Sequence, residues 1–80
     1  VPLTVLVFAS YAEALGGREV TVPVAAPCAA REVVAALRAL PGGDRLPASP
    51  LVAVNHAWVD GAHVVHPGDE VAVIPPVAGG

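Results

Sequence analysis

One stretch of this 80-residue chain carries the period of a helix long enough to cover a sheet, and most of the remaining apolar sequence reads as strands. Between Ala29 and Leu40, the residues Ala30, Val33, Val34, Leu37 and Leu40 recur at helical spacing, with Arg31, Glu32, Ala35 and Arg38 toward the other side. This is an amphipathic helix of about three turns, stopped by Pro41-Gly42-Gly43, and its apolar stripe must be buried against something. Leu3 to Ala9 is an apolar run broken only by Thr4, the pattern of a buried central strand. Glu19-Val20-Thr21-Val22 alternates like a half-buried strand that Pro23 closes. Leu51–Asn55, Trp58–Val59 and Glu70–Ile74 supply further strands, separated by turns at Asn55-His56-Ala57, Asp60-Gly61 and His66–Asp69. Ser10, with Glu13 three residues on, reads as the N-cap of a short helical turn that Gly16-Gly17 ends, and residues 41–50 read as a loop. The order predicts an α+β fold: one mixed sheet of four to five strands, its most apolar first and last strands side by side in the middle, with one main helix on one face.

A chain this short holds a single domain with one small core. Apolar residues make up 55% of it, yet Pro, Gly or a charge interrupts every run well before the roughly 20 residues a bilayer crossing needs. The first residues lack the basic start and apolar middle of a secretory signal, so a cytoplasmic location is the expectation. Net charge is -3, and the four cationic side chains are all arginines, at 18, 31, 38 and 45. They form no basic stripe for a nucleic-acid backbone, and a chain without lysine offers no ε-amine as acceptor for an isopeptide bond.

Candidate chemistry inside the domain is sparse. Cys28 stands alone, so it forms no internal disulfide or cysteine pair for a metal; it reads as a small structural residue near a helix start, a place where a thiolate would gain some stabilisation. His56, His63 and His66 share one third of the chain but sit in or beside turns and read as solvated, with no metal site expected. Asp69 and Glu70, adjacent, point to opposite sides of a strand and make no paired acid-base site. Gly16-Gly17 and Gly42-Gly43 lack the strand-glycine-helix context of a phosphate loop. More telling is the alternation of the central strands. If Leu3, Val5, Val7, Val71 and Val73 face the helix, then Thr4, Leu6, Phe8, Ala72 and Ile74 face away, leaving an apolar patch that marks a partner surface.

The last six residues, Pro75, Pro76, Val77, Ala78, Gly79 and Gly80, follow the final strand. Two prolines prevent the ladder from continuing past Ile74, and the side chains then shrink to nothing, a thin segment able to thread a narrow channel. The sequence thus divides into a domain over 1–74 and a tail over 75–80, expected to be mobile from Val77 to Gly80 in the free protein.

The string from Gly68-Asp69-Glu70-Val71 through Pro75-Pro76-Val77 to Gly79-Gly80 resembles the C-terminus of the ubiquitin-like sulfur carriers, above all the small subunit of molybdopterin synthase. Val5–Ala9 resembles that family's opening strand, Glu13–Gly16 its short first helix, and Ala53-Val54-Asn55 with Trp58-Val59 its third and fourth strands. The resemblance implies the β-grasp fold of ubiquitin. It also implies that an E1-like adenylating enzyme uses ATP to activate the Gly80 carboxylate and that a sulfur donor converts it to a thiocarboxylate, which serves dithiolene formation in molybdenum-cofactor biosynthesis. On this reading Gly80 is acted upon, no residue here is a catalyst, no cofactor is bound by the chain, and the synthase large subunit is the partner, docking against Phe8, Trp58 and Ile74. Other carriers of the same kind, feeding thiazole synthesis or tRNA thiolation, share the diglycine end. A ubiquitin-like modifier of protein lysines and a plain interaction module with an inert tail remain alternatives of a different class.

Overall fold

The computed structural model describes residues 2–76. Strand β1 (Pro2–Val7) leads into helix α1 (Ala9–Leu15), and β2 (Glu19–Ala25) returns antiparallel to β1. A two-residue strand β3 (Cys28–Ala29) precedes helix α2 (Ala30–Arg38), and a 3₁₀ turn (Gly43–Arg45) follows it. Then come β4 (Leu51–Val54), β5 (Ala57–Val59), the short β6 (Val64–Val65) and β7 (Val71–Ile74). Five of these strands form one mixed sheet in the order β2-β1-β7-β4-β5, while β3 and β6 pair separately. As the apolar runs require, the first and last strands lie side by side at the centre, parallel, with Val5 beside Val71 and Val7 beside Val73.

Helix α2 packs on the face that Val5, Val7, Val71 and Val73 present. Its Ala30, Val33, Val34 and Leu37 are buried, and Arg31, Glu32, Ala35 and Arg38 are exposed, as the period predicts. The Glu32 carboxylate accepts the amide of Ala29 at 2.7 Å, satisfying one orphan donor at the helix start. Glu32 in the first turn and Arg38 in the last also match the helix dipole. Arg38 donates its Nε to the Leu46 carbonyl at 3.1 Å, tying the helix end to the following loop. The core is built largely from valine, with Leu37 and Leu46 its largest fully buried side chains; among the described residues no polar or charged residue is buried.

Three sequence expectations give way to the packing. Ser10 does not cap α1: Phe8 holds that position, extended, and its carbonyl accepts the amides of Tyr11 and Ala12. Burial of Tyr11 fixes the helix phase, and the chain enters the helix at Ala9, left-handed at φ 50. Pro23 does not close β2 but lies inside it, tolerated because β2 is an edge strand and the register slips between Pro2 and Leu3. The loop after α2 also contains an ordered 3₁₀ turn, whose Leu46 end is buried.

That turn explains Gly42-Gly43. A Cβ on Gly42 would strike the carbonyl of Ala14, and one on Gly43 the carbonyl of Leu37 and the backbone of Arg38, while Gly42 is also left-handed at φ 85. The pair thus marks a close approach of backbones that seats the loop against both helices. Gly16, by contrast, has open space where its Cβ would be and needs glycine only for its φ of 85. Gly43→Ala is expected to lower stability by about 1–3 kcal/mol through overpacking, and Gly16→Ala by about 1 kcal/mol through backbone conformation alone. Urea denaturation of both variants checks the ranking, which a Gly16 effect larger than the Gly43 effect would reverse.

Candidate functional site

The outer face of the sheet, opposite α2, carries the apolar surface that strand alternation predicts. Register sets its rows: Leu6 lies beside Ala72, Ala72 opposite Ala53, and Ala53 opposite Trp58. One step toward the chain's exit, Ile74 lies opposite Leu51, and Phe8, following Val7, falls beside the same end of β7. Phe8 is 40% exposed, Leu51 48% and Trp58 63%, while Leu6 and Ile74 are half-buried. Between them Ala53 and Ala72 are only 8% and 7% exposed, because larger neighbours overhang these short side chains. The result is a shelf with an alanine floor, walled by Trp58 on one side and by Leu6 and Phe8 on the other.

Phe8, Trp58 and Ile74 are therefore brought to one face. Leu51 belongs with them and was not among the predicted interface residues. Its place follows a ten-residue loop with no periodicity to fix the phase of β4; only the buried Val52 and Val54 on the alternate positions identify it as outward-facing. Pro75 and Pro76 continue from Ile74 at the edge of this shelf. Val77, Ala78, Gly79 and Gly80, together with the expectation that they are mobile, lie outside the described residues.

The opposite end of the sheet is polar. Asn55 and His56, both left-handed at φ 51 and 70, turn β4 into β5. Asn55 Nδ2 donates to Asp69 Oδ1 at 2.9 Å, and its Oδ1 accepts the Glu70 amide at 3.0 Å. Asp69 Oδ2 accepts the His66 amide at 2.8 Å, and His56 Nε2 lies 2.9 Å from the Glu70 carboxylate. These bonds staple the β4–β5 turn to the turn that starts β7. His56 and His66 take part, through the Glu70 carboxylate and the Asp69 carboxylate respectively, and no group of three metal-ligating side chains occurs among the described residues. Cys28 is half-buried in β3, beside Val65. Burial and then the charge of Glu32 push its thiol pKa up, so the helix start gives no stabilised thiolate there.

Against this geometry the comparisons are specific. The ThiS family model matches residues 5–80. The chain belongs to the ThiS family. This is a family of ubiquitin-like sulfur carriers, which includes the small subunits of molybdopterin synthase. Among solved structures, this ThiS-family chain is similar to SAMP1, the small archaeal modifier protein 1 of Haloferax volcanii, with 27% identity over all of both chains and a TM-score of 0.80. It also shares its fold with a chain in the complex of subunits 1 and 2 of the molybdopterin-converting factor from Helicobacter pylori, at 21% identity over all of both chains and a TM-score of 0.69. The expected β-grasp architecture is thereby shown, and no helix of the described residues is long and apolar enough to cross a membrane.

The polar staple has a measurable signature. The His66 amide, and then the Asn55 side chain, hold the Asp69 pKa below its ordinary 3.8. A carboxyl group depressed in the folded state contributes stability that is present above its ordinary pKa and lost as pH falls through the folded value. Asp69→Asn is expected to flatten that part of the acid limb of a stability-versus-pH curve. An unchanged limb would show that Asp69 titrates alike in the folded and unfolded chains.

Proposed function

We propose that this chain is a sulfur carrier acting at its diglycine end, with Gly80 as the acyl group. The observation that carries the reading is the family match running through residue 80, joined to an apolar shelf that ends at Ile74, where the sheet releases the chain into Pro75-Pro76. A carboxylate is a poor acyl donor because its oxygen is a poor leaving group. An E1-like enzyme attaches the Gly80 carboxylate to the α-phosphate of ATP, releasing pyrophosphate; sulfide from a donor then attacks the carbonyl and expels AMP. The resulting thiocarboxylate is ionised and nucleophilic at neutral pH, yet stays covalently held. This chain supplies no catalyst for either step. Its sheet face docks the partner, and its tail carries the reacting carbonyl to that partner's active site.

Within the carrier class we assign it to molybdopterin synthesis, as the small subunit delivering sulfur for the dithiolene. The Pro75-Pro76-Val77 tail resembles that branch, and the H. pylori fold neighbour is a chain in a complex of subunits 1 and 2 of the molybdopterin-converting factor. The partner on this reading is a synthase large subunit that covers Phe8, Trp58, Ile74 and the newly placed Leu51. A second reading, conjugation to lysines of other proteins, is favoured by the higher identity to a named modifier. The lack of lysine suits a donor in either reading.

Phe8→Ala or Ile74→Ala is expected to weaken large-subunit binding by about 1–3 kcal/mol, as for an anchor at an interface, with the fold preserved because neither side chain is buried in the core. Titration calorimetry on the purified pair measures this, with circular dichroism to check folding; loss of the fold in either variant would place that residue in the core.

The decisive experiment is intact-mass analysis after incubation with ATP, a sulfide source and the cognate activating enzyme. One oxygen of the chain is expected to be replaced by sulfur. Deleting Gly80, or adding a residue after it, is expected to abolish this while sparing partner binding, since roughly 1 Å of misplacement at a reacting carbonyl is costly. Normal sulfuration of the extended variant would exclude the carrier reading, and wild type that is found linked to lysines and never sulfurated would establish the modifier.

A further inference from the structure

The row of side chains that crosses the outer face changes chemistry from edge to edge. On the β2 side of Leu6 it continues to Glu19, which pairs with Leu6 across the two strands and so shares its side of the sheet. The row then reads Glu19, Leu6, Ala72, Ala53, Trp58, with a carboxylate at one edge of the face and an indole at the other. Glu19 is exposed. Among the described residues its carboxylate has no ion pair, the pairs there being His56 with Glu70 and His66 with Asp69. Most of the arginines lie elsewhere: Arg31 and Arg38 are on the exposed side of α2, and Arg45 is in the 3₁₀ turn after it. Arg18 precedes β2, its carbonyl accepting the Val7 amide at 2.9 Å. Leu6, Val7, Phe8, Arg18 and Glu19 border a hollow of about 250 Å³. That is below the roughly 300–1,000 Å³ of small-molecule sites, a size that suits a single side chain.

We propose that this hollow receives a long cationic side chain, lysine or arginine, from the protein that covers the shelf, its stem lying across Leu6 and Phe8 and its charged end on the Glu19 carboxylate. The proposal rests on the reading that a synthase large subunit is that protein. The lining fits such a side chain at both of its ends. Apolar walls suit the methylene stem, and the Phe8 ring adds attraction for a cation. Glu19 offers a free acceptor, whereas the Glu70 carboxylate is already engaged by His56 at 2.9 Å. A neutral or anionic side chain placed there would desolvate Glu19 without compensation, so the contact also selects against other partners. It gives the complex a direction as well. A shelf apolar from edge to edge can be covered in two orientations related by a half-turn about the sheet normal, and only one of them places the partner's active site at the end where Ile74 leads into Pro75. With a carboxylate at the β2 edge and an indole at the β5 edge, the half-turned complex loses the ion pair and buries a lone charge.

Titration calorimetry of the full chain with the purified large subunit, repeated over a series of salt concentrations, tests this. Glu19→Gln is expected to weaken binding about tenfold at low salt and to flatten its salt dependence. Glu19→Asp keeps the charge and is expected to keep the salt dependence. Arg18→Gln removes the neighbouring cation and is expected to leave affinity unchanged or raise it. Phe8→Ala, by contrast, is expected to weaken binding at every salt concentration with a slope close to that of wild type. Unchanged affinity and slope in Glu19→Gln, with Phe8→Ala still weakened, would overturn the cation contact and leave the shelf as the docking face. Tighter binding by Glu19→Gln, or a tenfold loss in Arg18→Gln, would overturn it by placing an anionic group of the partner in the hollow. If neither Phe8→Ala nor Glu19→Gln weakens binding, the shelf is not the docking face and the proposal falls with it.

Discussion

Everything in this fold depends on the parallel pairing of β1 with β7. The two strands are the ends of the described chain, and a parallel neighbour cannot be reached by a tight turn, so the whole intervening sequence serves as the crossover that brings them together. One alternation then serves two surfaces. Val5, Val7, Val71 and Val73 make the floor on which α2 sits, and Leu6, Ala72 and Ile74 make the centre of the outer shelf. A slip of one residue in this pair would exchange core and surface along β7. Burial on the helix side therefore also fixes which side chains the outer face presents.

What could be read in the sequence beforehand was whatever strong periodicity or an unambiguous breaker expressed. The helix face of α2, the central position of β1 and β7, and the outward direction of Phe8 and Ile74 all follow from spacing. Local rules failed where distant packing outweighed them. Ser10 is a better cap than Phe8 by side-chain chemistry, yet Tyr11 has to reach the core and so moves the helix start. Pro23 is a breaker in a central strand and harmless in an edge strand, and which it is depends on strand order, a non-local property. Leu51 was invisible for a related reason: its phase is set by pairing with Ile74, not by its own neighbours. At the diglycine Gly42-Gly43 the sequence announced a stop, while the reason for two glycines, contact with α1 and with the end of α2, exists only in three dimensions.

The sheet is also polarised along its length. At one end, Asn55, His56, Asp69 and Glu70 knit two turns through side-chain and backbone hydrogen bonds, leaving β7 firmly anchored where it begins. At the other end, Ile74, Leu51 and Phe8 are apolar, and the prolines after Ile74 offer no amide to a neighbouring strand. On the proposed carrier reading this asymmetry has a use. On that reading, the strand leading toward Gly80 is held at its origin, so a partner docked on the shelf would meet the start of the tail at a fixed place.

The alanine floor of the shelf follows from the same requirement. Ala53 and Ala72 occupy neighbouring positions on β4 and β7, where larger residues would raise the centre of the sheet to the height of Trp58 and Phe8. With alanine there, the centre of the face stays lower than the side chains of Trp58 and Phe8 that flank it; on the proposed reading, contacts at the centre of an interface carry more energy than those at its rim. A flat or convex face could still bind by area, but it would fix the partner less well along the strand direction. On the carrier reading, registration along that direction would set where Ile74 hands the chain to Pro75-Pro76.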